Sequence, residues 1–314
     1  MHHHHIAKAA ALMLLAVMLV WTCGCADGGP KAVALILSSD TGHYWENIME
    51  GAQTAAERMD VHLLCYAPDS EARVFLEDLP QIALEDGVDA LIVASNGENE
   101  LIEALKQTSH IPIVAVGTPL IGVECVSTVH NNNAQMGSNM ARALEALQDN
   151  EPLSALLLTD SAEYESGELR EYNLRRDMFA QGIRISGRIF TGDNGDWAYR
   201  QTLQELYLHP EMDAVVAFSA QATVGAARAV EYLERDVLVV GTDIVPEMIG
   251  YIESGRVVAS VMRSAFGMGY LGVEYAVGDL NDEPVPGKRM LDTVTVDSSN
   301  LFTEQIEKVV FPFE

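Results

Sequence analysis

The chain has 314 residues, of which 48% are hydrophobic, and this is enough material for two hydrophobic cores. Its 46 acidic residues against 19 basic ones give a net charge of −27, which would repel nucleic acids and anionic membrane surfaces. The four cysteines are too few for a disulfide scaffold and form no C-x-x-C or Cys/His cluster. We therefore expect no nucleic-acid partner and no bound metal.

The amino-terminal segment has the features of an export signal. An apolar run from Ile6 to Val20 carries one basic residue near its start and is shorter than the roughly 20 residues that span a bilayer. Gly24 directly before Cys25 is similar to the lipobox of bacterial lipoproteins, in which the signal is removed and the cysteine carries lipid. Cys23 is a poorer acceptor because the bulky Trp21 lies two residues before it. We predict a signal peptide over residues 1–25, lipidation of Cys25 and a membrane-anchored protein outside the cytoplasm. An unlipidated signal peptide and a retained membrane helix are the alternatives.

From Lys31 onward, short apolar runs rich in β-formers alternate with helical patterns, which is typical of βαβ units on a parallel sheet. The predicted strands are Ala32–Leu37, Val61–Tyr66, Ala90–Ala94, Ile113–Val116, Glu124–Val129, Leu153–Thr159, Arg184–Phe190, Ala214–Phe218, Val237–Val240, Val257–Met262 and Leu291–Val296. The predicted helices are Trp45–Met59, Glu98–Thr108, Gln135–Leu147, Glu168–Gln181, Ala198–Leu208, Ala222–Glu234 and Ala265–Val277, with a short helix at the end of the chain.

Two short sequences recur in the second half of the chain. The triplet that begins at Val88 returns in similar form at Met212, and the triplet that begins at Val116 returns at Val240, both 124 residues later. Two matches at one offset favour duplicated α/β lobes over chance similarity of strands. One α/β element remains after the second lobe and is most easily placed by returning it to the first. Because ligands of open α/β sheets bind beyond the carboxyl ends of the strands, two facing lobes predict a cleft between them.

The chain resembles the type I periplasmic solute-binding proteins, and within them the ribose-binding-protein-like members. The resemblance spans nearly all of residues 31–310, and these segments carry it: Ala34–Ser39 followed by Tyr44-Trp45 and Gly51-Ala52, Gly87–Ile92, Ile111–Ile113 and Val239–Asp243. It implies an α/β fold of two Rossmann-like, doubly wound lobes with parallel sheets, joined by three hinge strands. The implied lobes are residues 31–130 plus 265–293 and residues 131–264 plus 294–314, with hinges near Asn131, Ser264 and Thr293.

The resemblance also implies aromatic contacts with the ligand. Tyr44 and Trp45 lie where the family uses two adjacent aromatics after the first strand, and Trp197 lies where the second lobe supplies another. Flat aromatic faces suit the C–H faces of a sugar ring. The alternative is that Trp45 and Trp197 are core or helix-start residues.

Three charged residues are implied as pocket residues. Asp243 lies where the family uses a carboxylate to accept hydrogen bonds from hydroxyl groups, Arg175 where it places a guanidinium, and Arg263 where an amide is usual. A guanidinium can donate to two neighbouring oxygens, and an opposite carboxylate limits the free energy of desolvation. The alternatives are that Asp243 caps a helix near Pro246 and that Arg175 is a solvated helix residue.

One departure from the family concerns specificity. Ribose- and galactose-type members place an Asp-Arg pair where this chain has Gly117 and Thr118. Near strand ends, several residues could compensate: Ser39, Asp40, His43, Asn96, Glu98 and Asn131. His43, Asn96, Asn131 and Ser219 complete the predicted ligand-binding set. The ligand is expected to be a sugar, a polyol or a sugar acid.

The sequence Gly267–Gly272 matches the G-x-G-x-x-G pattern of dinucleotide sites but lies inside a predicted helix, so close helix packing explains it better and no cofactor is expected. No paired catalytic constellation is evident, so we predict a monomeric binding protein rather than an enzyme. Delivery to an ABC permease is the preferred function. The alternatives are a receptor for a membrane histidine kinase or chemoreceptor and, more distantly, a secreted α/β enzyme.

Overall fold

The computed structural model describes residues 30–108, 110–147, 152–160, 165–304 and 306. The predicted signal peptide and Cys25 lie outside these residues, as does most of the predicted terminal helix. All elements given below belong to one unit that begins at Ala32.

Twelve strands, nine α-helices and one short 3-10 helix, Leu76–Asp78, are assigned within the described residues. The strands are β1 Ala32–Leu37, β2 His62–Tyr66, β3 Ala90–Ser95, β4 Ile113–Gly117, β5 Ser127–Asn131, β6 Ser154–Thr159, β7 Arg184–Phe190, β8 Ala214–Ala217, β9 Leu238–Thr242, β10 Val257–Met262, β11 Lys288–Leu291 and β12 Val294–Val296. The helices are α1 His43–Met59, α2 Leu79–Glu85, α3 Asn99–Leu105, α4 Asn133–Glu145, α5 Glu165–Ala180, α6 Gly195–Leu208, α7 Ala220–Tyr232, α8 Pro246–Glu253 and α9 Ala265–Leu280.

The strands form two six-stranded sheets with matching order. The first runs β11-β5-β4-β3-β1-β2 and the second runs β12-β10-β9-β8-β6-β7. All pairings are parallel except that of β12 with β10. Helices cover the sheets, so strands such as β3 and β6 are buried along their whole length and read as continuous apolar runs. The predicted fold of two α/β lobes is confirmed.

The repeated sequence has the same structural role in both sheets. The Asp89 carboxylate accepts a hydrogen bond from the Ala32 backbone N–H at 2.8 Å, at the start of β1. The Asp213 carboxylate accepts the equivalent bond from Ser154 at 2.9 Å, at the start of β6. Each aspartate therefore fixes the first residue of the neighbouring strand, which gives the duplicated sequence a physical reason.

The chain passes between the two sheets three times, after β5, after β10 and after β11. Side chains hold these crossings together. The side-chain Oδ1 of Asn131 accepts the Ser264 backbone N–H at 2.9 Å, and Asn139 Nδ2 donates to Thr293 Oγ1 at 3.2 Å. The predicted single strand Leu291–Val296 is wrong: it divides between the two sheets around Thr293.

Glycines allow helices α1 and α9 to pack backbone to backbone. A Cβ built on Gly269 would lie 1.9 Å from the Ile48 carbonyl oxygen, and one on Gly51 would lie 2.0 Å from the Phe266 carbonyl oxygen. A Cβ on Gly272 would lie 2.9 Å from Ile92 in β3. The glycines of the G-x-G-x-x-G match thus serve close packing.

We predict that Gly269→Ala lowers the free energy of unfolding by about 3 kcal/mol, because the new methyl group forces two helix backbones apart. Gly250→Ala on α8 is the matched control, since a Cβ there meets nothing within 4 Å and alanine favours a helix. Urea unfolding of both variants checks this. Equal stability of the two variants would contradict the packing role of Gly269.

Candidate functional site

The carboxyl ends of strands from both sheets border one cavity of about 430 Å³. Eight of the ten sequence-predicted ligand residues line it: His43, Tyr44, Trp45, Asn96, Asn131, Ser219, Asp243 and Arg263. Arg175 and Trp197 do not, whereas Asp160, Arg170 and Asp193 do. A cavity of this size at the carboxyl ends of parallel strands is the usual ligand site of an open α/β fold.

Asp243 and Arg263 form a buried ion pair at one wall of the cavity, and both carboxylate oxygens of Asp243 accept hydrogen bonds from Arg263. Asp243 Oδ1 accepts the Arg263 backbone N–H at 2.9 Å, and Oδ2 accepts Nε at 2.9 Å and also Nη2. Each side chain is only 11% exposed. Burial by itself lowers the pKa of the Arg263 guanidinium, but the nearby Asp243 carboxylate outweighs burial, and the net pKa lies above its usual range. The guanidinium is therefore a permanent cation.

Asp243 does not cap the following helix. The N-cap of α8 is Val245, without a side-chain cap hydrogen bond, and both Asp243 oxygens are used by Arg263. The backbone of Asp243 is left-handed, with φ of 55°, and this conformation follows directly after β9. This conformation turns the carboxylate toward the carboxyl end of β10, which Arg263 directly follows.

Tyr44 lies against the same guanidinium. The Arg263 Cζ is 3.9 Å from the centre of the Tyr44 ring, within the range of a cation–π contact. Tyr44 and Trp45 meet edge to face with ring centres 5.1 Å apart. Burial is the largest cause of a raised pKa at Tyr44, so the phenol stays protonated and can donate a hydrogen bond.

The position of Tyr44 explains the glycine that replaces the family's acidic residue. A Cβ built on Gly117 would lie 3.3 Å from the Tyr44 hydroxyl oxygen and 3.3 Å from the Ser95 carbonyl oxygen. Gly117 also has φ of 88°, in the left-handed region that favours glycine. A side chain at position 117 would therefore require the Tyr44 hydroxyl or the Ser95 backbone to shift by a few tenths of an ångström.

The second arginine of the cavity is Arg170, which the sequence analysis missed. Its side chain is buried, with Nη1 donating to Asp160 Oδ2 at 3.3 Å and to the Phe218 carbonyl oxygen at 3.2 Å. The guanidinium also lies 5.3 Å from the centre of the Phe218 ring. Arg170 Nε is buried and finds no hydrogen-bond partner among the described residues.

Arg175 was predicted to lie in the pocket, but the structure places it outside the cavity. Arg175 is 40% exposed and pairs with Glu171 on the outer surface of α5, where Arg188 also donates to that carboxylate. Burial raises the pKa of Glu171, but its hydrogen bonds to Arg188 and Arg175 lower it below its usual value. The buried stripe of α5 runs through Arg170, Leu174 and Met178, at the four-residue spacing of one helix face. This spacing is the signal that could have selected Arg170.

Helix α4 places Arg170 by close contact. A Cβ on Gly137 would lie 2.1 Å from the Arg170 carbonyl oxygen and 2.8 Å from the Leu174 backbone nitrogen. Because α4 follows the first crossing and α5 carries the arginine, the packing of these two helices sets the position of the guanidinium relative to the cavity.

Trp197 serves the start of α6 instead of the cavity. Its backbone N–H donates to the N-cap side chain of Asn194 at 2.9 Å, and its ring Nε1 donates to the Phe190 carbonyl oxygen at 3.3 Å. The Arg200 guanidinium covers the ring at 5.6 Å. The side chain is 39% exposed at the helix start, which is the alternative that the sequence analysis held open.

Hydrogen bonds hold the loops at the rim of the cavity. Glu98 accepts from Ser38 Oγ at 2.9 Å and from the Asn96 backbone and side chain at 3.2 Å each. On the other side, Ser219 Oγ donates to the Gly192 carbonyl oxygen at 3.1 Å and caps α7 by accepting from Ala222. The cavity is therefore lined by preorganised polar groups, which is what binding of a polar molecule requires.

The described part of the chain contains no group of three or more His, Cys, Asp and Glu side chains that could hold a metal ion. Within the same residues, no helix combines the length and apolar character needed to cross a membrane. The chemistry of the cavity is that of hydrogen bonding and charge pairing.

Comparison with known proteins agrees with this architecture. Residues 33–283 match the family described as the periplasmic binding protein domain. The chain is 23% identical to the ribose import binding protein of Escherichia coli (strain K12) over 300 residues, covering 91% of this chain and 97% of that protein. It is 21% identical to the corresponding protein of Bacillus subtilis (strain 168), covering 88% and 89%.

Solved structures share the fold. A glucose-galactose binding protein from Geobacillus stearothermophilus aligns with a TM-score of 0.78 at 23% identity, covering 88% of this chain and 100% of that one. An ABC transporter solute-binding protein from Agrobacterium vitis with bound D-fucose aligns with a TM-score of 0.80 at 19% identity, covering 89% and 100%. Members of the matched family are binding proteins of transport systems that work outside the cytoplasm. The chain therefore belongs to the periplasmic binding protein family, as a type I member similar to ribose-binding proteins.

Proposed function

We propose that this protein is an extracytoplasmic receptor that captures a sugar-like polar molecule in its cavity and delivers it to an ABC transporter. The observation that carries the proposal is the cavity of about 430 Å³ at the carboxyl ends of strands from both sheets, whose polar lining includes Arg170, Asp243 and Arg263. A ligand with several oxygens and hydroxyl groups can exchange hydrogen bonds with these side chains. The D-fucose bound in the Agrobacterium vitis protein supports the choice of ligand class.

Release of the ligand is proposed to depend on the three crossings. The lobes would comprise residues 31–130 plus 265–293 and residues 131–264 plus 294–314. Rotation about the crossings near Asn131, Ser264 and Thr293 would open and close the cavity. The closed form is then the signal that a membrane permease reads, and the molecule leaves chemically unchanged. No homo-oligomer is needed for this cycle, and we propose a monomer.

A ligand screen tests the proposal. Neutral sugars, sugar acids, polyols and nucleosides are added to the purified protein, and thermal unfolding is measured. A true ligand at about 100 times its dissociation constant stabilises the folded state by about 2.7 kcal/mol. Small-angle scattering of the same sample should show compaction. A panel that gives neither stabilisation nor compaction, or a bound molecule that is recovered altered, would refute the proposed function.

Membrane attachment through Cys25 is a separate prediction. Expressed in a bacterium with labelled fatty acid, the protein should incorporate label and remain in the membrane fraction. Cys25→Ala should abolish both, because the alanine offers no thiol for the lipid. Cys23→Ala is the matched control and should stay labelled. Label that survives Cys25→Ala would place the anchor elsewhere.

A further inference from the structure

The guanidinium of Arg263 is held on two sides and leaves one end unused. Asp243 accepts from Nε and Nη2, and the Tyr44 ring covers one face at 3.9 Å. No described residue accepts a hydrogen bond from Nη1, although Arg263 lines the cavity. The Nη1/Nη2 end of a guanidinium is one of the edges that binds a carboxylate with two parallel hydrogen bonds.

Asp243, by contrast, has no oxygen left without a donor. Oδ1 accepts the Arg263 backbone N–H and has room for one further donor, whereas Oδ2 already accepts both Nε and Nη2. Gly117 contributes no side chain at the place where acceptors for further hydroxyl groups would lie. Asp243 therefore acts mainly as a positioning residue for Arg263.

Arg170 adds a second donor to the same cavity. Its Nη1 is held by Asp160 and the Phe218 carbonyl oxygen, and the residue lines the cavity together with Arg263. Two guanidinium groups in one cavity suit a ligand with several oxygens that carry no hydrogen. A carboxylate provides two such oxygens in one plane.

Resting on the proposed function, we propose that the ligand is a small polyhydroxylated carboxylate, of the uronic or aldonic acid class. Its carboxylate binds the Nη1/Nη2 end of Arg263, which determines specificity, and Arg170 lies in the wall of the same cavity. The cavity wall also holds Asp160 and Asp193. The cavity therefore has no net positive charge that would attract an acid. The selectivity arises from the fork geometry of the fixed guanidinium.

Calorimetry on matched acid and neutral pairs tests this. D-galacturonate is compared with D-galactose, and D-gluconate with D-glucitol, using the full-length protein. At least one acid should bind about tenfold or more tightly than its neutral partner. Arg263→Lys keeps the positive charge but loses the fork, and should reduce this ratio to about threefold or less. Arg175→Lys, on the outer surface of α5, is the control and should keep the ratio.

A second variant keeps the proposal testable if Arg263→Lys fails to fold. The double substitution Asp243→Asn with Arg263→Gln removes both charges of the pair, and should fold while losing the preference for the acid. Neutral sugars that bind as tightly as the acids to the unsubstituted protein would overturn the proposed ligand class and leave the proposed function standing. An unchanged ratio in Arg263→Lys would overturn the role of Arg263. Failure of every sugar and acid to bind would overturn both the ligand class and the proposed function.

Discussion

Replacing Arg170 by methionine is expected to weaken ligand binding about 100-fold or more, while the protein remains folded. Methionine fills a similar volume beside Phe218 but supplies no donor to the cavity. The loss follows because Arg170 lines the cavity and its guanidinium is a charged group that a polar ligand would meet there. Calorimetry with the ligand identified by the screen measures the change, and circular dichroism verifies the fold.

Arg175→Met on the same helix is the matched control. Arg175 is 40% exposed and its partner Glu171 keeps a second cation, Arg188. An exposed ion pair contributes less than about 1 kcal/mol, so neither affinity nor stability should change much. If Arg175→Met weakened binding while Arg170→Met did not, the placement of the ligand beside Arg170 would be refuted.

Asp243→Asn is expected to reduce the free energy of unfolding of the ligand-free protein by about 3 kcal/mol. The substitution leaves the buried Arg263 cation without its carboxylate, and the Tyr44 ring alone cannot compensate. Arg263→Met should destabilise the protein in the same way, because it leaves the carboxylate buried instead. Urea unfolding curves of the single variants give these values.

The double variant Asp243→Asn, Arg263→Met separates pairing from packing. Two neutral side chains of similar volume should recover most of the lost stability, because a buried ion pair and its desolvation nearly cancel. Losses in the two single variants that simply add in the double variant would show that the two groups do not stabilise each other.

The sequence predicted the fold well because its signals are local or repeated. Strands buried on both faces appear as continuous apolar runs. The duplicated aspartates bind the start of β1 in the first half and the start of β6 in the second half. The crossing within Leu291–Val296 escaped prediction because both parts have strand-like residues. The composition of these residues does not indicate that β11 and β12 belong to different sheets.

The site was predicted less completely because side-chain partners depend on tertiary structure. Asp243 and Arg263 were both selected, yet their mutual pairing could not be read from residues twenty positions apart. Arg175 was selected because it lies where the family places a guanidinium, and Arg170 was not considered, although the structure places Arg170 and not Arg175 at the cavity. Helical periodicity in α5 would have given the better choice.

The order of elements along the chain affects how the protein can be made. Helix α9 covers the first sheet through contacts such as Gly272 with Ile92 and Val116, yet it begins only at residue 265, after all but the edge strand of the second sheet. While the ribosome is still adding the second half, the nascent first sheet exposes this apolar face to solvent and to chaperones. Domains usually fold as they leave the ribosome, but the first sheet of this protein cannot be fully covered until residues 265–280 have been added. Folding of the first lobe is therefore coupled to synthesis of the second.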